Sequence, residues 1–451
     1  MTAQQPKPSN ATEWLAYIEA LHPKSIAMGL DRVQAVANKL QLKPNFPIIT
    51  VAGTNGKGSV CAMLSHIYIQ AGYSTGCYTS PHLIRYNERV CINHHEISDD
   101  DLCAAFTAVE AARGDVALTY FEMGTLAAMW HFCQAKLDVV ILEVGLGGRL
   151  DAVNIFEPNC AIVTAIDLDH MEYLGDTREK IGFEKAGIFR ANTLAICGDE
   201  NPPQSLLDYA AQIGANLTLI NRDFSINKMA QGWQYVAGDA RFELLNLGLA
   251  GDFQGNNAAC ALRAVTHFQT LLPVSQTSIH LGLAQVNLAA RFQQIAENPP
   301  VIVDVAHNPQ AAKSLAHNLQ NVRCNGKTLA VFAMLSDKDI NGVVSAVKSQ
   351  IDAWYLADID AVRGAKALDL QAALNQQAIK KPVQLFTNVT TALAAACIDA
   401  NKNDRIIVFG SFYTAADAIG WAGKATWNIA DLKNRDFIAI ILIAHINKRM
   451  S

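Results

Sequence analysis

The sequence predicts an α/β protein of two domains: a mostly parallel, P-loop-type sheet domain, followed by a smaller Rossmann-like α/β domain. Short apolar, β-rich runs alternate with helical patterns along the chain. The runs are apolar on both faces, which is typical of parallel sheets covered by helices. At 451 residues the chain is too long for one compact core, so we expect two domains or three.

The first predicted domain spans residues 1–295. It opens with two helical patterns, at residues 11–21 and 29–40. Predicted strands follow, with helical patterns between them, at 48–51, 139–144, 160–166, 193–197 and 217–220. Because ligands bind at the carboxyl ends of parallel strands, we expect functional residues to follow these strands.

The second predicted domain spans residues 296–451. The stretch 297–300, Glu-Asn-Pro-Pro, interrupts the pattern. A second series of predicted strands follows it, at 301–305, 328–332, 354–356, 383–385 and 405–409. We therefore expect a hinge near residues 288–298. Substrates commonly bind in clefts between domains of this kind.

Composition narrows the class of protein. The net charge of −5 gives no electrostatic reason to expect a nucleic-acid partner. The ten cysteines occur singly, so we expect reduced thiols rather than disulfides or zinc ligands. No signal-peptide core and no apolar run of ~18–20 residues is present, so we expect a cytoplasmic enzyme without a membrane partner. The apolar run 437–444 is compatible with a last buried strand or with a frayed tail.

The loop after the first predicted strand is the clearest functional signal. It consists of Gly53, Thr54, Asn55, Gly56, Lys57, Gly58 and Ser59. Glycines let successive backbone N–H groups converge on an anion, and the following helix adds its positive dipole end. Lys57 can reach the outer phosphates of a nucleoside triphosphate, and Ser59 or Thr54 can help to hold Mg²⁺. Gly58 makes the loop a variant, since Ser or Thr commonly follows the lysine directly.

Polar residues also follow two other predicted strands. Glu143 closes an apolar run beside a glycine-rich loop, where a carboxylate is well placed for Mg²⁺ on bound phosphates. His170 could ligate a metal through a neutral ring nitrogen, with Asp167 or Asp169 behind it. A loop-capping glutamate and a surface histidine are the alternatives.

Lys185, Arg291, Asp304 and His307 are less informative as single residues. By its spacing, Lys185 is an ordinary helix lysine near a glycine stop. Asp304 and His307 follow a predicted strand, and Arg291 near the hinge could clamp a triphosphate. Taken alone, each is more compatible with a structural role.

Seven blocks together are far more specific than any of these residues. They are VAGTNGKGS at 51–59, YTSPHL at 78–83, LTYFE at 118–122, LEVGLGGRLD at 142–151, DH at 169–170, EKAGI at 184–188 and DVAHNP at 304–309. In this order they closely resemble the bacterial folylpolyglutamate synthase/dihydrofolate synthase family, within the superfamily of Mur-type amide ligases. The resemblance covers about residues 26–413 and ends with VFGSF at 408–412.

The resemblance implies an ATP-dependent ligase that joins L-glutamate to a pterin-linked carboxylate, either dihydropteroate or a folate. It implies ATP on the loop 53–59 with Lys57 on the phosphates, and two Mg²⁺ ions with ligands at Ser80, Glu143 and His170. Lys185 corresponds to a lysine that is often carbamylated. Further ATP contacts are implied at Asn257, Arg291 and Asp304. The pterin substrate is implied at Ile26, Ala27, Met28, Gly29, Thr119, Tyr120, Phe121, Glu122, Leu150, Asp151 and Ala152.

The implied reaction converts the carboxylate into an acyl phosphate, which the amine of glutamate then attacks. Lys57, Mg²⁺ and Arg291 would neutralise charge during phosphoryl transfer. His307, or a carboxylate near it, would orient or deprotonate the amine. Family members are commonly monomers, so we expect a monomer with small-molecule partners only.

One departure and two rival interpretations remain. The family usually has Pro-Gly before the hinge arginine, where this chain has Ala289-Ala290, and nothing beyond about Trp421 matches. A Mur-type UDP-muramoyl amino-acid ligase usually carries a UDP-binding domain before the phosphate loop, and the ~50 residues here are too few for one. A non-catalytic ATP-binding switch gives no reason for the Lys185 segment or for Asp304 and His307.

Overall fold

A computed structural model describes residues 8–24, 26–244 and 246–424. The chain divides into two compact units, Met1–Asn287 and Leu288–Ser451. The division falls at the start of the expected hinge and before the expected boundary at 295. The apolar run 437–444 lies outside the described residues.

The first unit alternates helices and strands. Its helices are α1 (Ala11–Ala20), α2 (Asp31–Leu40), α3 (Lys57–Gln70), α4 (Asp99–Arg113), α5 (Tyr120–Gln134), α6 (Met171–Leu174), α7 (Arg178–Ala186), α8 (Gln204–Ile213), α9 (Phe253–His267) and α10 (Gln276–Gln285). Its strands are β1 (Ile48–Ala52), β2 (Thr75–Tyr78), β3 (Val90–Ile92), β4 (His95–Glu96), β5 (Val139–Glu143), β6 (Cys160–Val163), β7 (Leu194–Cys197), β8 (Asn216–Leu219), β9 (Ser225–Lys228), β10 (Trp233–Ala237) and β11 (Ala240–Leu244). Short 3₁₀ helices occur at Tyr86–Arg89, Ala152–Ile155 and Phe268–Thr270.

The main sheet of this unit has the strand order β4-β3-β2-β5-β1-β6-β7-β8. The strands from β2 to β8 in this order pair in parallel, and β3 and β4 extend the edge in antiparallel fashion. Every residue of β1, β5 and β6 is buried, because helices cover both faces of the sheet. The carboxyl ends of these three neighbouring strands therefore bring their following loops to one edge.

Two parts of the first unit are absent from the sequence prediction. Strands β2 to β4 are short, and β2 contains Gly76, so their apolar pattern is weak. Strands β9 to β11 form a separate antiparallel sheet, and most of their residues are at least partly exposed. Half-exposed strands lack the continuous apolar run by which the buried strands are recognised.

The second unit contains another α/β sheet. Its strands are β12 (Gln293–Glu297), β13 (Pro300–Asp304), β14 (Thr328–Phe332), β15 (Ala353–Ala357), β16 (Val383–Phe386) and β17 (Arg405–Phe409), in the order β12-β13-β17-β14-β15-β16. Its helices are α11 (Pro309–Asn321), α12 (Ile340–Val347), α13 (Ala367–Gln376), α14 (Val389–Asp399) and α15 (Phe412–Lys424), with a 3₁₀ turn at Lys348–Gln350. Phe332, Trp354 and Phe409 pack together in its core.

Every strand that the sequence predicted is present, and the α/β fold class is confirmed. The hinge expected near residues 288–298 stays a prediction, and the structure adds that the stretch 297–300 belongs to a hairpin. Glu297 and Pro300 are paired residues of the antiparallel strands β12 and β13, so this stretch is the turn of a hairpin. Proline is tolerated there because Pro299 lies in the turn and Pro300 is the first residue of β13. Within the described residues, no helix combines the length and apolar character that a bilayer crossing requires.

Candidate active site

The phosphate-loop sequence forms a tight turn between β1 and α3. Helix α3 begins at Lys57 with Gly56 as its N-cap. Gly53 has a φ of 152° and Gly56 a φ of 91°, a region that L side chains rarely adopt. A Cβ at Gly53 would collide with the Thr164 hydroxyl, and one at Gly56 with the Asn257 amide. The backbone of this loop therefore requires glycine at both positions.

Hydrogen bonds fix this loop to the residues that follow β6. The Thr54 hydroxyl donates to the carbonyl of Asp167 at 3.0 Å and accepts from the Asp167 N–H at 3.0 Å. The Thr164 hydroxyl donates to the carbonyl of Asn55 at 2.6 Å. The loop is thus held in shape before any ligand binds.

The Lys57 side chain folds back over its own loop. Its Nζ donates to the carbonyl oxygens of Gly53 at 3.0 Å and Thr54 at 3.3 Å. Both acceptors are uncharged carbonyl oxygens, so they do not neutralise the ammonium, and its positive charge can attract an anion on the loop. Gly58 follows within the first turn of α3.

Helix α9 brings two amide side chains to the start of α3. Ser59 is 2 % exposed, and Gln254 Nε2 donates to its hydroxyl at 3.4 Å. Asn257 Nδ2 donates to Gln254 Oε1 at 2.8 Å. This chain of contacts places Asn257, which the resemblance implied as an ATP contact, directly beside Gly56.

Glu143 and Ser80 meet at the carboxyl edge of the sheet. Glu143 is the last residue of β5, is 5 % exposed, and lies opposite Val51 of β1. The Ser80 N–H donates to Glu143 Oε2 at 3.2 Å. His170 is the N-cap of α6 with a φ of 49°, and its Nε2 lies 4.0 Å from Asp169 Oδ1.

These side chains are compatible with a magnesium site that substrate phosphates complete. Within residues 8–24, 26–244 and 246–424, no group of three or more His, Cys, Asp or Glu side chains is placed to hold a metal ion. The predicted ligands contain two residues of these kinds, Glu143 and His170, together with the Ser80 hydroxyl. Mg²⁺ is commonly bound by one or two carboxylates plus phosphate oxygens and waters, so the buried Glu143 carboxylate fits this pattern.

Lys185 differs from the ordinary helix lysine that its spacing indicates. It lies in the last turn of α7 and is 3 % exposed. Burial, together with the Lys57 charge, lowers the pKa of its amine from 10.5 to about 7, although Asp169 and Asp151 oppose this shift. A substantial fraction of the amine is therefore neutral near pH 7, and the neutral form is the nucleophile. Only the tertiary structure reveals this property.

The glycine-rich loop after β5 positions the turn that carries Lys185. The Arg149 N–H donates to the carbonyl of Glu184 at 2.8 Å, and their side chains form an ion pair at 2.8 Å. A Cβ at Gly148 would press on the carbonyls of Glu184 and Lys185. The close approach of the two backbones explains the glycine at position 148.

Asp151 closes the same loop. Its carboxylate accepts the N–H groups of Leu146 at 2.8 Å and Val153 at 3.0 Å, and burial raises its pKa to about 6. Leu150 precedes it, and Ala152 begins the following 3₁₀ helix. The predicted pterin contacts 150–152 therefore lie on a constrained turn.

The two other predicted pterin segments are joined by Arg32. Thr119 and Glu122 form a capping box at the start of α5, and Glu122 is 3 % exposed. Arg32 Nη2 lies 2.9 Å from Glu122 Oε1 and donates to the Ala27 carbonyl at 2.8 Å. The segment 26–29, which precedes α2, is thereby tied to Thr119 and Glu122.

The aromatic residues of the 119–122 segment reach two other parts of the site. A Cβ at Gly145 would collide with the Phe121 ring, so this glycine admits the ring against the loop that carries Asp151. The Tyr120 ring meets the Tyr86 ring edge-on, with centroids 5.6 Å apart. The first unit thus gathers Lys57, Ser80, Glu143, Lys185, Asp151 and the 119–122 segment at one edge of its sheet.

Asp304 organises a second group of predicted residues, within the second unit. It ends β13, and its carboxylate accepts the N–H groups of Phe292 and Ala306, both at 2.8 Å. Burial raises the pKa of Asp304, and the neighbouring Arg291 charge opposes this shift. Asp304 therefore fixes the backbone immediately after Arg291 and immediately before His307.

Arg291 and His307 both lie close to the Phe412 ring. The Arg291 guanidinium is 5.4 Å from the ring centroid, and the His307 ring centroid is 6.2 Å away. His307 Nδ1 lies 2.8 Å from the Val305 carbonyl, which can only accept, so Nδ1 carries a proton. In the neutral ring, Nε2 is then the nitrogen that carries the lone pair.

The backbone turn before Arg291 is present although the chain has Ala289-Ala290 where the family usually has Pro-Gly. Ala290 has a φ of 57° and Phe292 a φ of 49°. The Ala290 N–H donates to Gln293 Oε1 at 2.8 Å, and its carbonyl accepts from the Val305 N–H at 3.1 Å. Alanine therefore adopts the left-handed conformation where the family usually has glycine, at a cost of roughly 1–2 kcal/mol.

Comparison with known proteins identifies the family. Residues 51–265 match the Mur ligase middle domain, and residues 290–412 match the Mur ligase glutamate ligase domain. The chain is 45 % identical to the dihydrofolate synthase/folylpolyglutamate synthase of Escherichia coli, over 90 % of this chain and 94 % of the relative. The chain belongs to the dihydrofolate synthase/folylpolyglutamate synthase family. The relative of the same name from Haemophilus influenzae is 41 % identical, over 91 % and 97 % of the two chains.

Solved structures of this family share the fold. Escherichia coli FolC in complex with DHPP and ADP is 44 % identical with a TM-score of 0.88, over 92 % of this chain and 98 % of that chain. The bifunctional folylpolyglutamate synthase/dihydrofolate synthase of Yersinia pestis complexed with AMPPNP and Mn ion is 44 % identical with a TM-score of 0.85, over 92 % and 99 %. The resemblance inferred from the seven blocks is confirmed.

Several residues of this synthase-family site escaped the sequence interpretation. Arg32 has no local signal, because its partner Glu122 lies 90 residues away. Phe412 ends the last block of the resemblance but received no role. Gly145 lies in a glycine cluster whose meaning, a close approach by Phe121, appears only in the packing.

Proposed function

We propose that this protein is an ATP-dependent ligase that joins L-glutamate to dihydropteroate and to folates, giving ADP and phosphate. The observation that carries this proposal is the phosphate loop whose Lys57 charge acts on the buried Lys185, in a chain whose close relatives are dihydrofolate synthase/folylpolyglutamate synthases. Solved relatives contain DHPP with ADP, or Mn, AMPPNP and L-glutamate. These ligands support small-molecule substrates, ATP and a divalent metal for this chain.

The loop 53–59 is proposed to bind the phosphates of ATP. Its backbone shape is set by Gly53 and Gly56, and the Lys57 ammonium donates to two carbonyl oxygens of the loop. Asn257 is proposed as a further ATP contact because it packs beside Gly56. Arg291 and Asp304 of the second unit are proposed as the remaining contacts.

Ser80, Glu143 and His170 are proposed to hold two Mg²⁺ ions together with the phosphate oxygens. The buried Glu143 carboxylate and its contact with the Ser80 backbone support this assignment. When bound, the metal would neutralise negative charge on the phosphoryl group. The carboxylate and hydroxyl oxygens suit Mg²⁺, and an imidazole is also acceptable to Mn²⁺.

We propose that Lys185 is carbamylated. Its neutral amine attacks the carbon of CO₂, an N–C bond forms, and one proton is released to solvent. The product is an anion at a position where burial and the Lys57 charge both disfavour an ammonium. The carbamate would supply an additional oxygen ligand to the metal group.

The proposed chemistry has two steps. A carboxylate oxygen of the pterin substrate attacks the γ-phosphorus of ATP, and ADP leaves, which yields an acyl phosphate; Lys57 and Arg291 stabilise the charge. The neutral amine of glutamate then attacks the acyl carbon, and phosphate leaves. His307 Nε2 is proposed to accept a proton from, or to orient, that amine, because its Nδ1 is already committed to the Val305 carbonyl.

The pterin substrate is proposed to bind at 26–29, 119–122 and 150–152. The link from Arg32 to the Ala27 carbonyl and Glu122 supports a common site for the first two segments. Phe121 packs beside Gly145 in the loop that ends at Asp151, which supports the third. We expect the protein to act as a monomer.

A phosphate-release assay tests the function. The purified protein is incubated with ATP and Mg²⁺, and dihydropteroate and L-glutamate are added singly and together. We expect rapid release only with both, and mass spectrometry of the products should show the added glutamate. Repeating the assay with tetrahydrofolate tests the second activity. Release with a UDP-muramoyl substrate, or none with any substrate, would contradict the proposal.

A further inference from the structure

Glu88 makes an unusual set of contacts next to the predicted metal ligands. Its Oε2 accepts the N–H of Leu83 at 2.7 Å, and its Oε1 accepts the N–H groups of Ile84 at 2.7 Å and Arg85 at 2.6 Å. The Arg85 contact is half of a capping box, since Glu88 is the third residue of the 3₁₀ helix Tyr86–Arg89. The Leu83 and Ile84 contacts exceed what capping requires. One carboxylate therefore fixes three successive peptide units.

The helix that carries Glu88 is itself firmly anchored. Asn87 Nδ2 donates to the Ile97 carbonyl at 2.7 Å and to Asp99 Oδ1 at 2.8 Å. The Tyr86 ring is 3 % exposed and packs against the rings of Phe106 and Tyr120. Glu88 thus projects from a rigid support onto the preceding segment.

The same 3₁₀ helix also contacts the first half of the segment 80–85. Arg89 Nε donates to His82 Nδ1 at 2.8 Å. His82 is two residues from Ser80, whose N–H reaches Glu143 at 3.2 Å. Residues 80–85 are therefore held by Glu143, Arg89 and Glu88, and the Arg85 side chain also reaches Asp99 at 3.2 Å.

We propose that Glu88 is a positioning residue, whose carboxylate fixes the backbone of 83–85 and thereby holds in place Ser80, whose backbone N–H reaches Glu143. The role of Ser80 as a metal ligand rests on the proposed function. The ordering of 83–85 by Glu88 does not, so the two are tested separately.

Glu88→Gln changes the contacts while it preserves the shape of the side chain. An amide has one oxygen, and its NH₂ group cannot accept a hydrogen bond. The favoured orientation keeps the oxygen on the two N–H groups of Ile84 and Arg85 and turns NH₂ toward the Leu83 N–H, so that contact is lost. Glu19→Gln, an exposed change on α1, removes the same charge far along the chain and is the matched control.

Hydrogen–deuterium exchange on the metal-free, nucleotide-free proteins tests the ordering directly. We expect the peptide that contains 83–85 to exchange at least about tenfold faster in Glu88→Gln, since ~1.4 kcal/mol of lost local protection corresponds to that factor. The remaining peptides, and all peptides of Glu19→Gln, should match wild type. Unchanged exchange at 83–85, or a uniform rise along the chain, would overturn the proposal.

The metal dependence of phosphate release tests the consequence. We expect about tenfold more Mn²⁺ for half-maximal rate in Glu88→Gln, with near-normal kcat at saturating Mn²⁺ and an unchanged KM for glutamate. Glu88→Asp, which keeps both oxygens, should lie between. An unshifted Mn²⁺ requirement in an active enzyme refutes the inference. A wild-type protein without ligase activity refutes the proposed function instead, and the exchange data then decide the role of Glu88.

Discussion

Replacing Gly56 with alanine separates two reasons for glycine in the phosphate loop: the conformation of its backbone and the space beside it. Helix α3 has a positive-φ glycine at each end. Gly56 is its N-cap with a φ of 91°, and Gly72 follows its carboxyl end with a φ of 90°. A Cβ at Gly56 would strike the Asn257 side chain, whereas one at Gly72 would have nothing within 4 Å. Gly72→Ala is therefore a matched control for strain alone.

The expected magnitudes follow from this difference. A left-handed alanine costs roughly 1–2 kcal/mol, of which about 0.4–1 kcal/mol is regained because the unfolded chain is less free. Both variants should thus lose about 1 kcal/mol of unfolding free energy, or roughly 2–4 °C in Tm. Gly56→Ala also displaces Asn257 from its 2.8 Å bond to Gln254. Loss of that bond and of one nucleotide contact should weaken ATP binding by about 10- to 100-fold.

Isothermal titration with ADP and scanning calorimetry on the three proteins provide the measurements. We expect the Tm values of the two variants to fall together, and the nucleotide affinity to fall in Gly56→Ala only. Wild-type affinity in Gly56→Ala would show that Asn257 does not constrain the loop. An equal loss of affinity in Gly72→Ala would show that strain in α3, rather than the space beside Gly56, is responsible.

Three further outcomes are expected. Lys57→Ala should abolish ATP-dependent amide synthesis with a Tm close to wild type, because its hydrogen-bond partners are two carbonyls of its own loop; near-normal turnover would contradict the assignment. In buffer with ¹³C-bicarbonate, the ¹³C NMR signal of the carbamate should be lost as the pH falls through about 7, the pKa of Lys185, and it should be absent in Lys185→Ala. An unmodified amine at saturating bicarbonate and pH 8 would count against carbamylation. Arg32→Ala removes the ion-pair partner of the buried Glu122, so it should raise the KM for dihydropteroate by about tenfold and leave the Kd for ADP unchanged. Parallel increases in the KM for dihydropteroate and the Kd for ADP would speak against a pterin-specific role.

The buried strands and the phosphate loop were predictable because their signals are local. A run such as 329–332 is apolar throughout and lies within β14. The loop 53–59 carries its glycines and lysine within seven residues. The sheet β9 to β11 and the edge strand β12 have no comparable run, since their residues are largely half-exposed. Their existence depends on pairing with neighbours that the local pattern does not reveal.

The candidate site also contains features that a local sequence pattern reveals and features that depend on distant contacts. Family resemblance placed Lys185 in the site, but its spacing indicated only an ordinary helix lysine. The low pKa arises from burial and from Lys57, 128 positions earlier in the chain. Arg32 and Glu88 were not identified, because their roles are contacts with Glu122 and with backbone N–H groups rather than motifs.

By itself, the sequence determined the α/β class, the buried strands and the nucleotide loop, because apolar periodicity and glycine chemistry act over a few residues. It also determined the family, through the order of seven blocks. The tertiary structure alone decided which side chains become charged, neutral or rigid. Those properties depend on burial and on contacts between residues distant in sequence, such as Lys57 with Lys185 and Ser80 with Glu143.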